Sequence, residues 1–444
     1  MFKIVIMENT IISVGIFFDG AGSNGLNATS DKKTLTDHIS YHALPTNIYK
    51  LFKVFDGNEK LYVEGIGTIT GSEDSDFAKA TCKNPIGCSG YSSDDKLRRA
   101  YAFIEDKMRD TTKEYQFYVY GFGRGGMLAR NFCYELLKRG SSISGHIKIK
   151  FLGVFDTVES APFNQYHVKL SQGVENALHL CAMNECRYFF PLTGFFENSR
   201  TMNDSEFMTD KCVWKEIFVP GVHADVGGGY LNSSQSVYIS GNYFEVSDVN
   251  DYVSHVKETA KDAEENKIWD IPLRNHLIDE GDILSQAYVE KEMAYNDLSK
   301  VYGSLMLMQT NAVAPVFITD FSESDFTLDP EHFYLETLYN ELEKYAANLK
   351  LSQKPLYDYE KLARYIHISA NFGLYKKGQL QKSQALMYKE IINNGLNVPC
   401  KPLDNNFNSA LRTGMFFPED MVITDFAYES NIPNNDDWIR SIIY

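Results

Sequence analysis

The chain has 444 residues, with 44% hydrophobic and 14% aromatic residues and a formal net charge of −16 at pH 7. This length fits one elaborated domain or two domains, and the apolar content is sufficient for a buried core. The acidic balance argues against a nucleic-acid-binding protein, which would carry a basic face. We therefore expect a folded protein with no nucleic-acid partner.

The first twenty residues are apolar but interrupted by Glu8, Asn9 and Thr10, and they lack a small-residue cleavage site. We therefore expect no signal peptide. No window approaches the ~20 apolar residues of a membrane span. The seven cysteines lack metal-ligand or redox spacing, so we expect buried free thiols, no metal site and no cofactor. Free thiols indicate synthesis in a reducing cytoplasm.

Strand-like and helix-like segments alternate along the first 230 residues. The strand-like segments are rich in β-branched and aromatic residues and end at glycine or aspartate. They comprise residues 10–18, 60–68, 115–120, 147–158 and part of 213–230.

Helical patterns lie between these strands. One begins after Thr46, and another follows Ser92 or Ser93, with acidic residues in its first turn and an apolar face. A third, at 127–137, follows a glycine-rich turn. Strand–helix alternation predicts an α/β fold, a mostly parallel sheet with helices on both faces.

The alternation stops between residues 159 and 211. We expect a helix followed by an aromatic-rich stretch within 163–196, and a cap insertion at about 160–211. After residue 245 the pattern becomes largely helical, most clearly at 245–269 and 282–309.

These shifts predict two parts. Residues 1–245 form an α/β core, and residues 246–444 form a largely helical region that packs on it. The irregular stretch 412–430 is expected to pack back onto the core.

The stretch YVYGFGRGGMLAR, residues 118–130, indicates a strand, a sharp turn and a helix. A nucleophile elbow requires this context, with small residues such as Gly121 and Gly125 around the reactive position. That position is Gly123, which has no reactive side chain. A glycine-rich strand–helix turn and a phosphate-binding loop are alternatives, although no Gly-Lys-Ser/Thr follows.

Two further residues follow strands in hydrolase order. Asp156 ends an apolar strand, and His223 follows the next predicted strand, so both lie at the sheet edge that carries sites in open α/β folds. A turn aspartate and a merely hydrogen-bonded histidine are the alternatives. Asp225 is a rival acid that could instead fix the loop.

The first strand ends in FFDGAGSNG. A loop there could supply an oxyanion N–H from Gly20 or Ala21, while Asp19 holds the loop by accepting backbone hydrogen bonds. An ordinary Asx-type turn is the alternative.

Six segments in this order resemble the α/β-hydrolase domain of the type VI secretion phospholipase effectors: GIFFDGAGSN, TNIYKLF, YVEGIGT, YGFGRGG, GVFDTV and PGVHADVGGGY. The resemblance covers residues 10 to 230. It implies an antibacterial toxin that cleaves membrane phospholipids, with Gly123 at the nucleophile position, Asp156 as acid and His223 as base. The N–H of Arg124 and one from the Gly20–Ala21 loop would stabilise the oxyanion.

The family's elbow reads Gly-Phe-Ser-Arg-Gly, so this chain departs from it at the nucleophile. Loss of a triad nucleophile lowers turnover by about a million-fold, so we expect the chain as written to be inactive. It is then either a lipase with its nucleophile replaced or a pseudoenzyme that acts as a binding module in secretion or immunity. A soluble esterase on the same fold is a further alternative.

The resemblance also implies partners and a location. The partners are membrane phospholipids, a secretion spike or tube component and a cognate immunity protein. The protein would be made in the bacterial cytoplasm and delivered into the periplasm of a target cell. The aromatic stretch at 188–196 and the second half of the chain would form a lid and a lipid-facing cleft, or else pack as core.

Overall fold

The computed structural model describes the following residues: 10–32, 38–139, 146–160, 166–238, 244–245, 274–277, 284–285, 287–319, 325–370 and 440–443. The central element of these residues is a seven-stranded sheet with strand order β2-β1-β3-β4-β5-β8-β7. Its strands are β1 (Ile11–Phe18), β2 (Glu59–Val63), β3 (Glu114–Phe122), β4 (His146–Phe155), β5 (Asn176–Ala182), β7 (Ser205–Met208) and β8 (Val213–Val219), with β6 (Leu192–Thr193) outside it.

The strands pair in parallel, except that β7 runs antiparallel to β8. The five strands expected from the sequence are all present, and the predicted α/β fold is confirmed. Because the strands are parallel, the residues that follow them share one edge of the sheet, which places the ends of β1, β3, β4 and β8 close together.

Helices cover both faces of the sheet. Those in the first half are α1 (Gly25–Ala28), α2 (Ile39–His42), α3 (Asn47–Val54), α4 (Asp76–Thr81), α5 (Ser93–Lys107), α6 (Arg124–Arg139) and α7 (His223–Gly227). Ser92 caps α5 by accepting a hydrogen bond from the amide of Asp95, as predicted. Alternate strand residues face opposite layers, so Phe17 packs in the cluster that contains α3, whereas Phe18 packs with α5 and α6.

The helix expected within 163–196 is wrong, because residues Asn176–Ala182 form strand β5 between β4 and β8. The segment NALHLCA lacks the alternation that marks a half-exposed strand. A strand buried on both faces reads instead as a nearly continuous apolar run, which resembles a buried helix. Part of the expected insertion at about 160–211 is therefore central sheet.

The second half contains more strand than the sequence predicted. Its strands are β9 (Ser233–Tyr238), β10 (Phe244–Glu245), β11 (Arg274–Leu277), β12 (Leu284–Ser285) and β13 (Ala287–Ala294). The helix expected over 282–309 is wrong as far as Ala294, because Ala287–Ala294 pairs antiparallel with β9 and β11.

The helical part of that prediction is confirmed from Leu298 onward. The helices are α8 (Leu298–Val313), α9 (Phe333–Ala347) and α10 (Tyr359–Leu362), with short 3-10 helices at Glu197–Thr201, Pro330–His332 and Ala363–Tyr365. Leu305 of α8 and Leu342 of α9 belong to the same apolar cluster as Tyr120 of the sheet.

The division of the chain near residue 245 stays a prediction. Apart from Glu245, which ends β10, the helix expected at 245–269 lies outside the described residues, as does the irregular stretch at 412–430. Near the end of the sequence, β14 (Ile442–Ile443) pairs in parallel with β6. No helix within the described ranges is long and apolar enough to cross a bilayer.

Six of the seven cysteines are described, and Cys400 lies outside the described residues. Cys82, Cys133, Cys181, Cys186 and Cys212 are buried and are not in disulfides, as predicted. Cys88 is disulfide-bonded, so the expectation of free thiols is wrong there.

Candidate active site

The turn between β3 and α6 is closed by backbone hydrogen bonds. The amide of Gly123 donates to the carbonyl of Phe155 at 3.0 Å, and the carbonyl of Gly123 accepts from the amide of Gly126 at 3.0 Å. Gly123 has φ +54°, in the left-handed region that most side chains avoid. The chain thus makes the sharp strand-to-helix turn that a nucleophile elbow requires.

The neighbouring glycines allow backbones to approach closely. A Cβ atom on Gly121 would lie 2.4 Å from the carbonyl oxygen of Gly125, and one on Gly125 would lie 2.3 Å from that of Asp19. Neither approach can be relieved by a side-chain rotation. The end of β1 is therefore packed directly against the turn, and only glycine fits at these two positions.

Asp156 and His223 are in direct contact. Asp156 follows β4, His223 opens α7 after β8, and Oδ2 of Asp156 lies 2.6 Å from Nδ1 of His223. Because a carboxylate only accepts, Nδ1 carries the proton and Nε2 is an acceptor. The sequence predicted this pairing of two residues 67 positions apart.

The acceptor nitrogen of His223 faces the turn. A Cβ atom placed on Gly123 would lie 2.7 Å from Nε2 and 2.9 Å from Cε1. The rings of Phe122 and Phe190 flank the imidazole, with centroids 4.4 and 5.0 Å away. Among the described residues, none hydrogen-bonds to Nε2, so its lone pair is directed at residue 123.

The pKa values of the pair favour a neutral imidazole beside an ionised carboxylate. Burial alone would raise the pKa of Asp156, but the charge of Arg440 and the hydrogen bond from His223 hold it well below its usual range. Burial lowers the pKa of His223 and outweighs the opposing effect of Asp156. A neutral imidazole is the protonation state that a general base needs.

The loop after β1 presents one of its two candidate oxyanion donors. The amide of Gly20 donates to Oδ1 of Asp19 at 2.8 Å, so it is occupied in this conformation. No described residue accepts a hydrogen bond from the amide of Ala21. Arg124 is the first residue of α6, and the first amides of a helix have no acceptor within that helix. Ala21 and Arg124 are thus the better-placed donors.

Asp19 is buried and holds this loop. Besides the amide of Gly20, it accepts from the hydroxyl of Thr46 at 2.6 Å and from that of Tyr62 at 2.5 Å. Burial raises its pKa to about 6, although these hydrogen bonds act in the opposite direction. The loop-holding geometry expected from the sequence is present.

The rival acid Asp225 does not contact the ring of His223. Its Oδ1 lies 2.6 Å from Nδ1 of His367, and its Oδ2 accepts from the amides of Val222 and His367. Asp225 therefore fixes the loop that carries His223, which was the second possibility left open by the sequence.

Two residues that the sequence did not predict, Arg440 and Glu185, support the pair. Oδ1 and Oδ2 of Asp156 accept from the guanidinium of Arg440, and the carboxylate of Glu185 accepts from the amide of His223 at 3.2 Å. Arg440 lies in the segment DDWIR, which carries no motif, so local pattern gave no signal for it.

A second buried pair supports the loop after β4. Nδ1 of His179 contacts Glu216 at 2.7 Å, and Nε2 accepts from the amide of Thr157 at 3.0 Å. With Cys181 these residues form the one described cluster with metal-type donors. Both nitrogens of His179 are already used in hydrogen bonds, so the cluster is a structural network that does not fit a metal ion.

The chain matches the family described as type VI secretion system phospholipase effector, Tle1-like, catalytic domain, over residues 13–140 and 134–251. No curated protein matches it. Among solved structures, "Structure of the Tle1 effector bound to the VgrG spike from the Type 6 secretion system" aligns with a TM-score of 0.59 and 18% identity, and the alignment covers 98% of this chain and 94% of that chain.

An uncharacterized protein from Pseudomonas aeruginosa aligns with a TM-score of 0.39 and 16% identity, covering 88% of this chain and 60% of that chain. The family match spans more than half of the 444 residues and ends beyond the strand and loop that carry His223. The chain therefore belongs to the Tle1-like family of type VI secretion phospholipase effectors.

Proposed function

We propose that this chain is an antibacterial lipase effector in which Asp156 orients His223 as the general base and residue 123 is the nucleophile position. The observation that carries the proposal is the 2.6 Å contact between Asp156 and Nδ1 of His223. It leaves the opposite nitrogen aimed at residue 123 in the strand-to-helix turn. As written, the chain should not hydrolyse lipid, because Gly123 has no hydroxyl group.

With serine at position 123, the site has the parts of an acyl-transfer reaction. His223 takes the hydroxyl proton at Nε2 while the oxygen attacks the ester carbonyl, and Asp156 stabilises the imidazolium that forms. The amides of Arg124 and of the Gly20–Ala21 loop donate to the oxyanion. The imidazolium then protonates the leaving alcohol, and water, activated by the same nitrogen, releases the fatty acid.

The aromatic stretch at 188–196 is proposed as a wall or lid of the lipid-facing cleft. Phe190 packs edge-on against the imidazole of His223, so this stretch borders the reacting nitrogen. We assign residues 1–245 to the catalytic core and residues 246–444 to a region that packs on it. The family match, which ends at residue 251, supports this boundary.

The proposed partners follow from the family and from the structural relative. That relative is a Tle1 effector bound to a VgrG spike, so we propose that this chain also docks on a secretion spike. Its substrate would be membrane phospholipid in the periplasm of the target cell, to which the secretion system delivers it. A producing cell would then need a cognate immunity protein.

The decisive experiment restores the hydroxyl. Gly123→Ser is expected to release fatty acid from phospholipid liposomes at a rate about a million-fold above the parent chain. Gly123→Ala is the matched control, because it introduces the same Cβ without the nucleophile. His223→Ala on the serine background should remove the gain.

The outcomes separate the alternatives. A folded serine variant that releases no fatty acid from liposomes contradicts the lipase proposal. Hydrolysis confined to short soluble esters would indicate a soluble esterase instead.

One observation favours the second candidate, a non-catalytic binding module. Nε2 of His223 lies only 2.7 Å from where a Cβ on residue 123 would be, closer than carbon and nitrogen atoms pack. The ring therefore occupies space that a serine would need, as expected if the site is adapted to glycine. A parent chain that binds liposomes as tightly as the serine variant, with no activity in either, would support this candidate.

A further inference from the structure

A buried arginine from near the end of the sequence pairs with the acid of the proposed triad. Nη1 of Arg440 lies 2.5 Å from Oδ1 of Asp156, and Nη2 lies 2.8 Å from Oδ2. Both side chains are fully buried. Two parallel N–H···O bonds fix the plane of a carboxylate as well as its charge.

The remaining acceptor positions of Asp156 are also filled. The amide of Ala182 donates to Oδ1 at 2.8 Å, and Nδ1 of His223 donates to Oδ2 at 2.6 Å. The carboxylate therefore has two donors on each oxygen and cannot rotate without breaking several bonds. Asp156 itself has φ +44°, a conformation that persists only when its surroundings hold it.

Arg440 is held in place by the backbone around it. The amide of Leu192 donates to the carbonyl of Ser441 and the amide of Gly194 to that of Ile443, both at 2.8 Å. Nη1 also donates to the carbonyl of Ala182 at 2.7 Å. The short β14–β6 pairing thus fixes the guanidinium against the carboxylate.

The arginine alters the charge balance around the base. In a serine hydrolase triad, the buried aspartate stabilises the imidazolium that forms during the reaction. Here Arg440 cancels the charge of Asp156. Among the residues that the structure describes, the charged and titratable groups around His223 are Asp156, Arg440, Glu185, Arg187 and the Asp225–His367 pair.

We propose that Arg440 is a positioning residue of the site: it fixes the plane of the Asp156 carboxylate toward Nδ1 of His223 and, by opposing its negative charge, weakens the attraction of that carboxylate for a proton on the imidazole. The catalytic consequence rests on the proposed function, whereas the effect on His223 does not. The described hydrogen bonds of Arg440 go to Asp156 and to the carbonyls of Ala182 and Phe190, so it acts on His223 through Asp156.

The first test uses the parent chain and needs no activity. The titration of the His223 imidazole is followed by nuclear magnetic resonance in the parent, Arg440→Gln and Arg440→Lys. Glutamine removes the positive charge, so the midpoint of the His223 titration is expected to move to higher pH by about one unit or more. Lysine keeps the charge, so the midpoint should stay at the parent value. An unchanged midpoint in folded Arg440→Gln overturns the proposal.

The second test uses the Gly123→Ser background. Arg440→Gln is expected to lower kcat by about 100-fold, the usual effect of a misplaced catalytic group. It should also move the acid limb of the pH profile of kcat/KM to higher pH. Arg440→Lys should leave that limb in place and lower kcat by less. A parent-like kcat in Arg440→Lys would show that the bidentate geometry is not needed and would overturn the positioning role.

Arg130→Gln is the matched control for both tests. Arg130 is also buried, and it donates to the carbonyls of Thr193 and Gly194, the strand that holds Arg440 in place. It should lower the melting temperature without moving the His223 midpoint. An equal shift in Arg130→Gln would mean that loosening of this strand, rather than the charge of Arg440, is responsible.

If Arg440→Gln does not fold, Arg440→Lys still tests the charge role. A midpoint of the His223 titration in Arg440→Lys that differs from that of the parent contradicts this role. If the serine variant is inactive, the titration still decides this proposal.

Discussion

Three of the buried histidines that the structure describes each lie within 2.7 Å of a carboxylate oxygen, yet they differ in what their second nitrogen does. His223, His179 and His367 lie 2.6–2.7 Å from Asp156, Glu216 and Asp225, respectively. The His223 pair lies in a loop and the His179 pair lies in the sheet interior. Both pairs have a short distance between imidazole and carboxylate, and both histidines are buried.

The second nitrogen separates them. Nε2 of His179 accepts from the amide of Thr157, and Nε2 of His367 lies 3.1 Å from the carbonyl of Leu231. Nε2 of His223 faces residue 123 instead. A histidine–carboxylate pair therefore does not by itself mark a catalytic base. We propose that the base is marked instead by an acceptor nitrogen directed at the strand-to-helix turn around residue 123.

The largest expected effect comes from removing each imidazole in the Gly123→Ser background. His223→Gln should lower kcat by about a million-fold, because it removes the proton acceptor and the members of a triad act only together. His367→Gln should lower kcat by about 100-fold at most, because it only loosens the loop held by Asp225. Fatty-acid release and the melting temperature are measured for both.

Equal losses of kcat in His223→Gln and His367→Gln, with both variants folded, would contradict this distinction between the two histidines. His367 would then belong to the catalytic unit, and the orientation of the second nitrogen would not be the deciding feature.

The carboxylates provide the next test, again in the serine background. Asp156→Asn is expected to lower kcat by about 10,000-fold, because an amide can hold the imidazole in the wrong tautomer. Glu216→Gln should mainly lower the melting temperature, since it weakens a buried network that contains His179 and Ser199. Equal losses of kcat at matched stability would contradict the distinction between the two pairs.

The sequence predicted the parts of the site that are local. The turn around Gly123, the strand ends at Asp156 and His223 and the cap at Ser92 each depend on a few neighbouring residues with a known steric or hydrogen-bonding requirement. Their order along a parallel sheet then places them at one edge.

Contacts between distant segments could not be predicted. Arg440 meets Asp156 across 284 positions, and nothing in its neighbours distinguishes it from a surface arginine. β5 was mistaken for a helix because a strand buried on both faces loses its alternation. The partner of Asp225 was missed for a similar reason, since His367 lies 142 positions away.

The smallest predicted effect concerns two buried aspartates, Asp19 and Asp156, which follow the strands on either side of β3. Asp19 accepts only from neutral hydroxyl and amide groups, whereas Asp156 faces a guanidinium. Burial therefore raises the pKa of Asp19 to about 6, while Arg440 keeps the pKa of Asp156 below its usual range against the same burial. The two carboxylates should change stability in opposite directions with pH.

For Asp19, the folded state binds the proton more tightly than the unfolded state, in which the pKa is about 3.9. Its contribution to the free energy of unfolding is thus full below about pH 4 and is lost as the pH rises through about 6, a change of about 3 kcal/mol. Asp156 contributes above about pH 4 and loses that contribution only as the pH falls further. Asp19→Asn cannot ionise, so its stability relative to the parent should rise between pH 4 and 7 in denaturant unfolding. A constant difference across this range would mean that Asp19 is ionised throughout, with Thr46, Tyr62 and Gly20 together offsetting its burial.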